Sequence, residues 1–218
     1  MPANVYYSLL DQQYDLKIEL KSLWAYLISM RDSKDSLFRE NKDIFYCPAV
    51  RERMQRIFFV PSPRDFNRKS SDKVKVGLKG LSHVRLPHQL LMVSDEPVIA
   101  SCSNPFFHIV SDTQSVVVPS FMNINSWYRP IIFSYLSKDA TVSRLKNEPL
   151  MYVEFDKPVV LHEYNFTSEL KTLINIDDES KRRGKTGNNK YVSLNNTYLE
   201  TNPDHIRRVI DVCKLNLI

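Results

Sequence analysis

Trp127, Tyr128 and Arg129 stand in a row ahead of Pro130. Two aromatic rings beside a guanidinium can stack on bases, lie against sugars or anchor a protein partner. The competing reading is structural: Trp127 pins the entry to a strand and Arg129 stacks on it. A second group, Lys181, Arg182, Arg183 and Lys185, sits in the polar run DDESKRRGKTGNNK. It can touch phosphates loosely, although charge runs of this kind are usually solvated. Gly184-Lys185-Thr186 has the ending of a phosphate-binding loop. The earlier glycine that such a loop needs would fall at Glu179, and no apolar strand leads in, so the match fails. Asp177, Asp178 and Glu179 share that loop, which is poor scaffolding for acid and base work.

His83 and His88 flank Pro87, and His108 and His162 fall in expected strands. Imidazoles converging inside a barrel would suit a metal, but nothing in their spacing demands it. Glu163 beside His162 alternates to the opposite strand face. Cys102 and His108 lie close in sequence, yet thiol–imidazole pairs are assembled in space, and a core thiol is the simpler account. No serine elbow of the G-x-S-x-G type is present. No catalytic residue, metal ligand or cofactor is therefore assigned.

The elements that would position these groups are mostly strands. Runs at 89–93, 98–101, 106–110, 115–118, 130–136, 141–145, 150–155 and 159–164 are short and separated by turn signals. In Met151, Val153 and Phe155 one face is apolar, as in an antiparallel sheet with one face in a core. The turns at 146–149 and 156–158 predict hairpins. Arg56–Val60 adds a strand stopped by Pro61 and Pro63. Leu16, Ile18 and Leu20 alternate, whereas Leu20, Leu23, Trp24, Leu27 and Ile28 recur at helical spacing. A short strand running into a helix over Lys21–Met30 satisfies both patterns. A short helix follows Thr167 as its N-cap. A last helix begins near Pro203, with Ile206, Val209, Ile210 and Cys213 on one stripe. The expected fold is mostly β with flanking helices: an antiparallel β-sandwich or jelly-roll-like core with N-terminal and C-terminal helices. Its parts are a helix and strand region with a polar loop over 1–80, a β core over 81–176, and a basic loop with a helix over 177–218, together one compact domain.

A chain of 218 residues with 43% hydrophobic and 25% charged residues has the length and composition to bury a core. Only four glycines occur, so Asn, Asp, Ser and Pro must supply most turns. A net charge of +5 favours weak attraction to phosphate or acidic surfaces. The three cysteines, Cys47, Cys102 and Cys213, are widely spaced, which fits reduced thiols better than a disulfide framework or zinc site. The start of the chain lacks a signal-peptide pattern, and no run is long and apolar enough to predict a membrane span.

Phe45–Ala49, Arg56–Phe66, Trp127–Pro130 and Asn147–Phe155 together resemble an uncharacterised family of proteins from tailed bacteriophages, cyanobacterial phages among them. The resemblance spans roughly residues 45–165. It implies a viral origin and carries over no catalytic residue. The expectation is a phage-encoded, non-enzymatic binding protein, virion-associated or host-interacting, in the host cytoplasm or the virion. Its expected partners are other phage or host proteins, with weak nucleic-acid contact through the basic surface and self-association as further options. The contact patch is Trp127, Tyr128 and Arg129. The alternatives are an enzyme acting on a nucleotide or other small molecule at a β-core pocket lined by His83, His88, His108 or Arg129, and a non-specific nucleic-acid binder.

Overall fold

A computed structural model describes residues 1–11, 18–31, 46–69, 81–108, 110–126, 131–174 and 203–218. The strands are β1 (Ala3–Asp11), β2 (Lys21–Ser22), β3 (Ile57–Pro61), β4 (Phe66–Lys69), β5 (Ser82–Ser94), β6 (Ile99–Ser103), β7 (Ser115–Val117), β8 (Ser120–Asn123), β9 (Ile131–Ser137), β10 (Thr141–Arg144), β11 (Pro149–Phe155) and β12 (Val159–Glu163). The described helices are α1 (Leu23–Arg31), α2 (Pro48–Met54), α3 (168–174) and α4 (Pro203–Leu215).

The strands form two five-stranded sheets. One has the order β12-β1-β5-β9-β7, the other β2-β3-β11-β6-β8, and β10 pairs with β4 as a two-stranded ribbon. Side-chain alternation then sorts residues into layers. On β5, Val84, Leu86, Leu90 and Met92 enter one large apolar cluster, together with Met151, Val153 and Phe155 of β11 from the other sheet. The intervening Leu91 and Val93 of β5, with Tyr6 of β1, join a second cluster with Leu170, Leu173 and Ile174 of α3 and Val209, Ile210 and Cys213 of α4. On the second sheet Ile57, Phe59 and Tyr152 turn outward beneath Leu23 and Leu27 of α1 and Met54 of α2. Both sheets therefore contribute to one core, and each has helices against part of its far face.

Local chemistry starts these helices. Ser22 Oγ accepts the Ala25 amide at 3.3 Å ahead of α1, and Thr167 Oγ1 accepts the Leu170 amide at 3.3 Å ahead of α3. Proline occupies the first turn of α2 and of α4, where no amide donor is needed. No described helix is long and apolar enough to cross a membrane.

The mostly-β character, the antiparallel ladders and the flanking helices agree with the sequence, but three details differ. First, no two strands consecutive in the chain between β5 and β12 pair with each other. β5 pairs with β9, β6 with β8, β7 with β9 and β11 with β3 and β6. The turns at 146–149 and 156–158 send the chain to another sheet rather than closing hairpins. Second, of the strand expected at 106–110, Phe106–His108 is a turn, and Ile109 lies outside the described residues. Pro105 precedes a turn in which the Phe107 amide donates to Tyr152 Oη at 3.1 Å and the His108 amide to the Pro105 carbonyl at 3.2 Å. These bonds divert the backbone from any ladder. Third, β1 pairs in parallel with β12 as well as antiparallel with β5. β1, β4, β8 and α2 are additions to the sequence reading. β4 falls within the expected polar loop, whose remainder at 70–80 lies outside the described residues.

Candidate functional site

A cleft of about 520 Å³ opens between α4 and the turns that follow β5 and β8. Asp95, Asn125 and Ser126 form one wall; Ile206, Arg207, Ile210, Asp211 and Lys214 of α4 form the other. The helical stripe read from sequence creates this geometry. Val209 and Cys213 are fully buried against the first sheet, and the flank of the same helix carries Arg207, Asp211 and Lys214.

The first wall is knitted to the sheet. The Ser94 amide donates to the Ile124 carbonyl at 3.1 Å, Asn125 Nδ2 to the Ser94 carbonyl at 3.1 Å, and Ser94 Oγ to the Asn4 carbonyl at 2.9 Å. Lys214 spans the cleft. Its Nζ lies 3.4 Å from Asp95 Oδ2 and 5.5 Å from the centroid of the Tyr6 ring. Tyr6 stacks on His162 at 5.3 Å, and His162 Nε2 lies 3.0 Å from Asn4 Oδ1. Burial raises the Tyr6 phenol above its ordinary range, against the opposing pull of Lys214. For Lys214, burial acts to lower the ammonium, but Tyr6 and Asp95 outweigh it and the group is raised. The cleft is lined by a lysine, an arginine, two aspartates, an asparagine, a serine and two isoleucines. That mixture suits a ligand with backbone-like polarity and apolar side groups.

Trp127, Tyr128 and Arg129 lie outside the described residues, but Trp127 is the next residue in the chain after Ser126 of the cleft wall. Lys181, Arg182, Arg183 and Lys185 also lie outside them, as do Asp177, Asp178 and Glu179.

The histidines are set in separate surroundings. His88 is buried in the core on β5, with Phe66 and Phe133 nearby at ring centroid distances of 6.3 and 6.2 Å. His83 belongs to the other side-chain phase of the same strand and lies opposite Leu136. His108 is on the outer side of the second sheet, stacked on Tyr26 of α1 at 4.1 Å, with Nδ1 2.6 Å from Tyr152 Oη. Desolvation lowers His108 to about 4, so it is neutral at physiological pH. His83, His88 and His108 do not meet in a common pocket. Cys102 is buried in the core and Cys213 on the buried face of α4, whereas Cys47 is exposed.

The cleft itself was not read from sequence. The α4 stripe gave its back wall, but the meeting of Asp95, Asn125 and Lys214 depends on strand order, which the sequence does not encode locally. Compared with family models and with curated proteins, the chain matches none.

Proposed function

We propose that this chain is a phage-encoded, non-enzymatic binding protein that engages another phage or host protein through the α4 cleft and the adjoining Trp127-Tyr128-Arg129 segment. The observation that carries the reading is the covalent adjacency of Ser126 in the cleft wall to Trp127. Tryptophan, tyrosine and arginine are the side chains most often dominant in protein interfaces. The cleft lined by Ser126, the residue that precedes them in the chain, supplies polar groups for orientation. The separate settings of His88, buried in the core, and His108, stacked on Tyr26, fit structural roles better than a shared reaction centre. Work in the virion or in the host cytoplasm both agree with this reading.

The test is site-specific photo-crosslinking of the full chain in infected cells. A crosslinker at Ser126 is expected to capture one phage or host protein, and a crosslinker at exposed Arg85 to capture none. Arg207→Glu and Lys214→Glu are expected to weaken that capture. Equal capture from both positions, or none from Ser126, would overturn the proposal. Mass spectrometry of purified particles separates the two settings, since a virion component must be found there.

A further inference from the structure

The two sheets share one open side, where β7 ends the first and β8 ends the second, joined through Val118 and Pro119. Edge strands present unpaired backbone groups, and folded proteins usually block them. β7 is blocked. The Val118 amide donates to the Ser134 carbonyl at 2.9 Å, so Ser115 and Val117 are the β7 residues whose amides face outward. Asp112 Oδ1 accepts the first at 3.2 Å and Asn104 Oδ1 the second at 2.6 Å. On the opposite side, part of β12 is covered by the chain terminus, where the Ile218 amide donates to the Glu163 carbonyl at 3.0 Å.

β8 is different. The Ile124 amide donates to the Val98 carbonyl at 2.9 Å, and the Asp156 amide to the Ile99 carbonyl at 3.0 Å. These two bonds fix the phase of the ladder: Ser120 and Met122 bond to Cys102 and Ala100, and the N–H and C=O of Phe121 point away from the sheet. Neither has a partner among the described residues. The Phe121 ring is 82% exposed, and Ile99, on the same outer face, is 45% exposed. Phe106, 54% exposed, packs edge-on against Tyr152 on that face at 5.1 Å. No charged residue occurs between Asp112 and Arg129, so β8 itself carries no lysine or glutamate.

We propose that β8 is a strand-addition site: an extended segment of a partner protein pairs its backbone with Phe121 and lays an apolar side chain against Phe121 and Ile99. This deepens the binding reading above and rests on it, by giving the partner's chemistry. A partner segment fits better than a second copy of this chain. Pairing two four-residue strands would bury far less than the roughly 1,000 Å² of a specific interface. A segment of another protein can run past Asn123 to Asn125 and Ser126 at the cleft and gain area there.

The probe is a displayed library of random peptides panned on the full chain. Phe121→Pro deletes the outward amide together with the ring and leaves the bonds to β6 in place, as edge positions permit. Phe121→Ser keeps the amide and removes the ring. Peptides enriched on the native chain are expected to bind both variants about tenfold more weakly or worse, and to protect the Phe121 amide from hydrogen exchange. If Phe121→Pro fails to fold, Phe121→Ser and the exchange measurement decide. Enrichment of no peptide, undiminished binding to the variants, or protection elsewhere would overturn the proposal. So would a dimer in light scattering that Phe121→Ser dissolves, which would make a second copy the occupant. Capture from Ser126 that persists in the Phe121 variants would leave the cleft reading standing while β8 addition falls. Loss of capture from Ser126 in the native chain removes the cleft reading instead.

Discussion

Arg144 Nη1 lies 3.3 Å from Asp112 Oδ2, with the arginine side chain 1% exposed and the aspartate 9%. The pair ties the loop before β7 to β10. Asp112 also accepts the amides of Gln114, Ser115 and Ser143 at 2.8, 3.2 and 3.1 Å and the Ser115 hydroxyl at 2.7 Å. Arg144 donates to the carbonyls of Ser143 and Pro149 at 2.6 and 3.4 Å and lies 5.4 Å from the Tyr135 ring centroid. Removing one partner strands a buried charge, so Asp112→Ala should destabilise by about 3–5 kcal/mol in urea unfolding. The double change Asp112→Ala with Arg144→Met should lose less than the single one, because no bare guanidinium remains. An additive double variant would contradict the coupling.

The burial of His108 makes stability depend on pH. Burial of His108 holds its folded value near 4, below the roughly 6.5 of an unfolded histidine. The unfolded chain therefore binds more protons between these values. The stabilisation is fully present above about pH 6.5 and is lost as pH falls towards 4. With a discount for solvent screening, the loss should be about 1–2 kcal/mol. Urea midpoints measured from pH 7 to pH 4 should fall more for the native chain than for His108→Phe. Asp112 acts in a lower window: burial opposes its charge, but Ser115, Ser143, Gln114 and Arg144 outweigh that and lower it. Its share is present above the ordinary carboxylate value and disappears as pH drops through the depressed one.

What the sequence made legible was local. Strand texture in β5 to β7 and in β9 to β12, the α1 spacing, the Thr167 cap and the α4 stripe all rest on contacts a few residues apart. Pairing was not legible. The run Leu90-Leu91-Met92-Val93 reads as apolar on both sides because both faces of β5 are covered, and such a run carries no register. Nor does any local signal say that β11 lies between β3 and β6. Phe106–His108 has strand-like composition, but the Tyr152 phenol and the Pro105 carbonyl supply the bonds that turn it. The cleft inherits this opacity, since Asp95 and Lys214 meet only after the strand order is set.

The thiols should separate cleanly by reactivity. Burial pushes Cys102 up to about 11 and Cys213 up to about 12, and both are enclosed. Cys47 is exposed ahead of α2. Thiolate is the reactive form, so at pH 8 the folded protein should titrate one thiol of its three with a disulfide reagent. Denaturant should release the other two. Modification of Cys213 without unfolding would mean that α4 opens readily.

Glycine scarcity leaves a specific strain. Ala140, in the turn between β9 and β10, has φ of 61°, and Asn147 has φ of 69°. Asparagine tolerates this region, but an alanine Cβ crowds the carbonyl there by about 1–2 kcal/mol. Ala140→Gly should therefore raise stability, by about 0.5–1 kcal/mol once the added freedom of the unfolded chain is counted. Thermal unfolding of the variant checks it, and a lowered midpoint would show that the turn is relaxed as it stands.

The last helix should prove integral to the first sheet and to the cleft. Val209 is fully buried among Tyr6, Leu91, Val93 and Tyr164, whereas Arg208 beside it is exposed. Val209→Asp places a carboxylate in that apolar layer and should destabilise by about 3 kcal/mol or more. Arg208→Asp should change stability by no more than about 0.5 kcal/mol. Because Lys214 reaches Asp95 only while α4 is seated, Val209→Asp should also abolish any ligand contact at Ser126 before global unfolding occurs. Hydrogen exchange would then show the amides of α4 opening while those of β11 stay protected. Simultaneous loss in both would mean that the helix and the two sheets unfold as one unit.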